Sequence, residues 1–462
     1  MVLSDRSTGK PKNNQAGRKS HGERPPRQPL KPGLEARIAA TRILAAVVDR
    51  KTSLDGMLDS EHGNPAYLPL NEADRGLVKA ILQSALRHLP RIDAIIAGML
   101  DNPLPEGARS LHHLLVVAAA QMLYLDVPDH SAVDLAVEQA NGDPRSRRFA
   151  KLVNAILRRI GREKEDLLAA VDDLPCMPDW FMKRLEAVYG QEHAFAIAAS
   201  QLQPPTIDLT VKSDAAGWAE RLGGQVLPTG SVRLDRFRGA ITTLEGFEDG
   251  VWWVQDAAAA IPAKLFGDLH GKRVADLCAA PGGKTAQLVL AGGDVVAVEQ
   301  SKSRVKRLES NLARLGLPAE TRCVDLLTIG ADDTFDAILL DAPCSSTGTT
   351  RRHPDVLWTK GAADIAKLAA LQEKLLRHAV TLLKPGGRLV FSNCSIDPSE
   401  GEEIIDRLLV DFPDLRLMPI APEEWPGLEA AITPKGEFRT TPAMLAEQGG
   451  LDGFYAAVVA KI

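Results

Sequence analysis

The chain has 462 residues, 45% hydrophobic and 25% charged, which is enough apolar material for more than one core. Its formal net charge of -5 excludes a uniformly basic nucleic-acid binder, so any nucleic-acid surface must be local. No apolar run is long enough to span a membrane and the start lacks the apolar centre of a signal peptide, so no membrane partner and a cytoplasmic location are expected.

Residues 1–33 are predicted to be a disordered basic tail. Lys10, Lys12, Arg18, Lys19, Arg24, Arg27 and Lys31 outnumber Asp5 and Glu23, and a segment with so few apolar residues cannot offset its ordering entropy. Residues 34–164 carry helical periodicity throughout. Ile38, Ile43, Leu44 and Val47 share one stripe, and Leu77, Ile81 and Leu82 share another. A third runs through Leu114, Leu115, Ala118 and Met122, and a last one through Leu152, Val153, Ile156 and Leu157. Proline pairs such as Asn64-Pro65 and Asn102-Pro103 break the helices apart. Arg147, Lys151 and Arg158 fall near one helical face, a candidate phosphate-contacting stripe.

This segment resembles the NusB-like RNA-binding domain in "ARIAATRIL", "LNEADRGLVKAIL", "DHSAVDLAVEQA" and "RFAKLVNAILRRI". The resemblance implies an all-α RNA-binding bundle. Residues 165–261 mix strand-like runs ("TIDLTVK", "GSVRLD") with a glycine-ended helix ("AAGWAERLGG") and read as a small α+β connecting domain. Residues 262–462 alternate apolar strands with helices. "RVADLCA", "VVAVEQ", "FDAILLDAP" and "GRLVFSNCS" have buried-strand length, which predicts a parallel sheet covered on both faces. "DGFYAAVVAKI" supplies a final strand.

The first of these strands leads into Asp276-Leu277-Cys278-Ala279-Ala280-Pro281-Gly282-Gly283-Lys284, a turn of small residues that lets a backbone approach a ligand. It is neither GxGxxG nor a Walker A loop, so a nucleotide is implied and a triphosphate is not. Glu299, Asp325 and Asp341 are placed at the ends of the next three strands, and such an acid suits ribose hydroxyls or an adenine amino group. This layout resembles that of the class I, Rossmann-like methyltransferase fold. "DLCAAPGGKT" is close to a signature of its RNA cytosine-C5 branch. The resemblance implies S-adenosylmethionine as cofactor, with Cys278, Ala279, Ala280, Pro281, Gly282, Gly283 and Lys284 around its methionine part. It also implies that Glu299, Asp325 and Asp341 touch ribose, adenine and the reaction centre.

Five widely spaced cysteines without zinc-type spacing argue against a disulfide framework and a metal site. Cys344 follows Asp341 in "LLDAPCSSTG", and Cys394 ends the next strand in "GRLVFSNCS". Adjacent strands would bring both thiols to one crevice. Methylating C5 of cytosine needs covalent help, because that carbon is a poor nucleophile until a thiolate adds at C6. The resemblance to the RNA m5C methyltransferases implies Cys394 as nucleophile and Cys344 as the group that assists product release. Asn393 stands where that family often has Thr. Cys278 is read as positioning backbone and Cys323 as core.

Arg351 and Arg352 beside the crevice suit RNA phosphates. "RRHPD" followed by Trp358 resembles the bacterial 16S ribosomal RNA m5C methyltransferases of the RsmB (Sun/Fmu) type. Expected is a monomeric RNA methyltransferase acting on 16S rRNA. The alternatives are the same chemistry on transfer RNA or another RNA, or a noncatalytic RNA-binding scaffold.

Overall fold

The computed structural model describes residues 31–462 apart from residues 60, 235, 236 and 238. Most of the predicted tail lies outside these. Its last residues belong to the fold, because Lys31 Nζ pairs with Asp134 at 2.9 Å and Gly33 caps the first helix.

The front is helical. Helices Leu34–Arg50, Glu72–Arg87, Leu89–Ala97, Asp129–Gly142 and Ala150–Arg162 surround Arg109–Tyr124. That central helix is buried on every side from His113 to Leu123, mostly through apolar residues, which makes it a core element. Asn71 starts Glu72–Arg87 by accepting a hydrogen bond from the Asp74 amide at 2.8 Å, which satisfies one of the free N–H groups of the first turn. On Ala150–Arg162, Val153, Ile156, Leu157 and Ile160 face inward, while Lys151, Arg158 and Arg159 face solvent.

Two helices, Asp179–Tyr189 and Gln191–Ser200, pack against each other and against Leu357 and Ile396. Tyr189 Oη donates to the Ile396 carbonyl at 2.6 Å, so this pair buttresses the segment just after Cys394. A small antiparallel sheet follows, of strands β1 (Ile207–Val211), β2 (Gly224–Val226), β3 (Val232–Leu234) and β4 (Trp252–Val254), in the order β2-β3-β1-β4.

The large sheet is built from β5 (Arg273–Leu277), β6 (Asp294–Val298), β7 (Glu320–Arg322), β8 (Phe335–Asp341), β9 (Leu383–Asn393), β10 (Leu415–Leu417), β11 (Phe438–Arg439) and β12 (Tyr455–Lys461). Its order is β10-β12-β9-β8-β5-β6-β7, with β11 on β12. Strands β5 to β9 are parallel, as predicted, whereas β12 runs antiparallel to β9 and makes the sheet mixed. The chain lays β6 and β7 on one side of β5 and returns to lay β8 and β9 on the other. This reversal opens a crevice beyond the carboxyl ends of β5 and β8, where such sheets bind ligands. Leu277 and Leu340 are in-register neighbours on these two strands, both buried, and each contributes about 1.5–3 kcal/mol of apolar burial to the stability of the sheet beneath it.

Among the described residues no helix is long and apolar enough to cross a membrane, and no cluster of His, Cys, Asp or Glu could hold a metal ion.

Candidate active site

The turn after β5 is held from both ends. Cys278 takes a left-handed conformation (φ 66°), Ala280-Pro281 is cis, and Gly282 (φ 105°) leads into helix Gly283–Leu290. A Cβ at Gly282 would lie 2.7 Å from Leu308 Cδ1, so a side chain there meets the neighbouring helix Lys302–Leu315. The same helix grips the turn. Arg304 donates to the Ala280 carbonyl and Asn311 to the Pro281 carbonyl, each at 2.8 Å. Burial, reinforced by the charges of Asp341 and Glu299, pushes the Cys278 thiol up to about 12. It is therefore a poor nucleophile, in keeping with a backbone role.

Asp276, Glu299, Asp325 and Asp341 do not all stand at strand ends. Asp276 lies inside β5, fully buried. Its Oδ2 accepts from Thr285 Oγ1 at 2.6 Å while Oδ1 has no partner, and burial raises its carboxyl to about 7. Glu299 directly follows β6, and its Oε1 accepts from the Ser301 amide at 3.0 Å. Its buried Oε2 makes no aligned hydrogen bond, although Arg304 Nη1 is 3.1 Å away. Asp325 falls three residues past β7 and opens a short 3-10 turn by accepting from the Leu327 amide at 3.0 Å. Asp341 ends β8, with Oδ2 2.7 Å from Lys284 Nζ and Oδ1 accepting from Ser392 Oγ at 3.0 Å.

Cys344 and Cys394 come together with their sulfurs 3.4 Å apart. Cys394 also contacts Ser346 Oγ at 3.5 Å, and the Gly348 amide donates to the Cys394 carbonyl at 2.9 Å, so the two loops are stitched together. The hydrogen bond with Cys394, together with burial, pushes the Cys344 thiol well above 9. One cavity of about 350 Å³ runs from Glu299 and Asp325 past Cys278 and Asp341 to both thiols. A second, of about 410 Å³, lies between β4 and the turn and shares Cys278, Ala280 and Asp341 with the first.

Two predicted RNA-binding residues are corrected. Arg351 is 1% exposed and donates to the Gly449 carbonyl, with Asp452 3.5 Å away. Arg352 pairs with Asp256, with Asp452 at 2.9 Å, and with the Thr206 carbonyl at 2.8 Å. Asp208, Asp256 and Asp452 come from three distant segments; Asp208 and Asp452 are buried and the Asp256 side chain is only 7% exposed, so each needs a cation close by. Arg233, Arg351 and Arg352 supply that charge and are unavailable to phosphate. The following residues join the two halves of the chain: Asp355 accepts from the Leu54 amide and Trp358 Nε1 donates to the Leu86 carbonyl, both at 3.0 Å. Cys323, read as core, is exposed, because β7 is a short edge strand and Cys323 lies just beyond it.

Sequence reasoning also missed Arg304, Asn311 and the buried Glu400, which accepts from the Ser345 amide beside Cys344 at 2.9 Å. Glu400 sits in "DPSEGEE", whose acidic run reads as a solvated loop and offers no signal of burial.

Residues 267–460 match the family model described as 16S rRNA methyltransferase RsmB/F, and residues 34–162 match the NusB family. The chain is 36% identical to ribosomal RNA small subunit methyltransferase B of Pseudomonas putida, over 93% of this chain and 99% of that protein. It is 35% identical to the protein of the same name from Sodalis glossinidius, over 88% of this chain and 96% of that one. Among solved structures, PH0851 superposes with a TM-score of 0.69 at 22% identity, covering 94% of this chain and all of that one, a likeness of fold. A methyltransferase homolog protein from Pyrococcus horikoshii superposes with a TM-score of 0.52 at 29% identity, covering 61% of this chain and 94% of that one. The chain thus belongs to the 16S rRNA methyltransferase RsmB/F family.

Proposed function

We propose that this protein methylates C5 of a cytosine in 16S rRNA through a covalent adduct between Cys394 and C6 of the base. The observation that carries the reading is the 3.4 Å approach of Cys394 to Cys344 at one end of a cavity whose other end holds Glu299 and Asp325. As in its methyltransferase family, the cofactor is S-adenosylmethionine, which when bound supplies an electrophilic methyl group for C5.

The residues present fit that cofactor. Asp276 Oδ1 is a buried acceptor without a hydrogen-bond partner, and buried Glu299 Oε2, ion-paired with Arg304, makes no aligned hydrogen bond, so both can accept from hydroxyl or ammonium donors. Glu299 would hold the ribose, Asp325 the adenine amino group, and the turn from Cys278 to Lys284 the methionine portion. Asp341 lies in the cavity wall between the cofactor turn and the thiols.

The chain's own groups then divide the work. The Cys394 thiolate adds to C6, forming the S–C6 bond and moving the C5–C6 π electrons to C5, which becomes nucleophilic. Asp341, fixed by Lys284 and Ser392, is the group assigned to the ring at N3. Cys344 lies 3.4 Å from Cys394, and the resemblance to the RNA m5C methyltransferases gives attack to Cys394 and release to Cys344. After methylation a base takes the C5 proton, the electrons of that C–H bond reform the C5–C6 double bond, and the S–C6 bond breaks with its electrons returning to Cys394 as thiolate, Cys344 assisting this release. The RNA assignment draws on relatives named for the small ribosomal subunit. Bisulfite sequencing of total RNA from cells with and without the gene tests it. The loss of one 16S cytosine mark is expected, and loss only from transfer RNA would overturn the substrate.

A further inference from the structure

Both catalytic loops converge on one buried carboxylate. Glu400 is fully buried. Its Oε1 accepts from the Ser345 amide at 2.9 Å and from Gln372 Nε2 at 2.8 Å, and its Oε2 accepts from Ser345 Oγ. Ser345 directly follows Cys344 in the chain. On the other side, Asn393 directly precedes Cys394. Its Nδ2 donates to Gln372 Oε1 at 3.1 Å and to the Glu400 carbonyl, and its Oδ1 accepts from the Ser395 amide at 2.9 Å. Ser345 Oγ and Ser395 Oγ close the ring at 3.3 Å. Every one of these residues is buried.

A carboxylate in such a place is costly unless donors surround it, and burial does raise Glu400 above its ordinary value. An apolar side chain would fill the same space without that cost. It would lack directional bonds able to hold two loops in register.

We propose that Glu400 is a positioning residue, whose carboxylate fastens the loop bearing Cys344 to the loop bearing Cys394 and so sets the separation of the two thiols. The proposal rests on the two-thiol reading above. Glu400 touches neither base nor cofactor and acts through the cysteines. Its charge also adds to the upward push on the Cys344 thiol. Asn393, the departure from the family's usual Thr, is part of the same fastening.

The test measures thiol apposition separately from turnover. The full-length Glu400→Ala and Glu400→Gln proteins are equilibrated with mixtures of reduced and oxidised glutathione. Cys344 and Cys394 give up two protons and two electrons to form one S–S bond, and one oxidised glutathione becomes two reduced molecules. The linked 344–394 peptide, quantified by mass spectrometry, reports the effective concentration of one thiol toward the other. Loss of one charged hydrogen-bond anchor should lower it about tenfold in Glu400→Ala, with partial recovery in Glu400→Gln. S-adenosylmethionine affinity should be unchanged, showing a folded protein.

An unchanged effective concentration in folded Glu400→Ala overturns the proposal. Should that variant fail to fold, Ser345→Ala removes one donor and leaves Gln372 in place; it should lower the value about threefold, and no change there overturns the proposal equally. A lowered effective concentration supports the proposal. If methylation nevertheless proceeds at the wild-type rate, it is the two-thiol mechanism that fails.

Discussion

The sulfurs of Cys344 and Cys394 lie 3.4 Å apart although fifty residues separate them in the chain. Strands β8 and β9 are parallel neighbours, with Asp341 opposite Ser392, so the loops that leave their carboxyl ends start side by side. The Gly348 amide and the Glu400 carboxylate then hold those loops together. Two thiols in one crevice allow attack and release to be assigned to different groups.

Single substitutions should separate those steps. Cys394→Ala should abolish methylation and give no covalent protein–RNA adduct. Cys344→Ala should still attack and then stall, accumulating a denaturation-resistant adduct in the presence of cofactor. Denaturing gel electrophoresis after incubation with unmodified 16S rRNA reads both. An adduct in Cys394→Ala instead would reverse the roles.

Gly282→Val should lower S-adenosylmethionine affinity at least about tenfold by calorimetry, because Gly282 has φ 105° and a Cβ there would press on Leu308 at 2.7 Å. The displaced turn could not keep Cys278 and Gly283 in place. Unchanged affinity in a folded variant would remove this turn from the cofactor site.

Asp276 gives the fold a pH signature. Burial raises its carboxyl from 3.8 to about 7. Between those values the folded chain keeps a proton that the unfolded chain has lost, so stability falls as pH rises and levels off above about 7. The shift corresponds to about 4 kcal/mol at about 1.4 kcal/mol per pH unit. Urea denaturation of the cofactor-free protein from pH 5 to 8 should show this decline, and Asp276→Asn should flatten it. Parallel curves for the two proteins would contradict the assignment.

Arg352→Ala should cost stability and leave RNA affinity alone. It strips the buried Asp452 and the largely covered Asp256 carboxylate of their shared cation, a loss worth about 3–5 kcal/mol. The denaturation midpoint should drop, while the salt dependence of RNA binding stays at the wild-type slope.

The solvent face of helix Ala150–Arg162 carries the exposed Lys151 and Arg158, and we propose it as a phosphate-contacting surface. Replacing Lys151 and Arg158 with Ala should weaken RNA binding at low salt and reduce the slope of log K against log salt by roughly 0.7–0.9 for each phosphate no longer neutralised. An unchanged slope would move the RNA surface elsewhere.

Local information in the sequence was enough for most of the elements and for the methyltransferase class. Apolar runs separated by glycine turns forecast β5, β6, β8 and β9, helical stripes forecast the front bundle, and "DLCAAPGGKT" with the two Cys segments pointed to methyl transfer. These signals depend on neighbouring residues in the chain, which periodicity and motif spacing record. The antiparallel placement of β12, the burial of Glu400 and the fate of Arg351 and Arg352 were decided only by tertiary structure. An arginine beside a crevice looks the same in sequence whether it meets a phosphate or a carboxylate. Arg352 meets Asp256 and Asp452, ninety-six and one hundred residues away. Charge burial depends on which distant segments close around a group, and that is a property of the assembled fold.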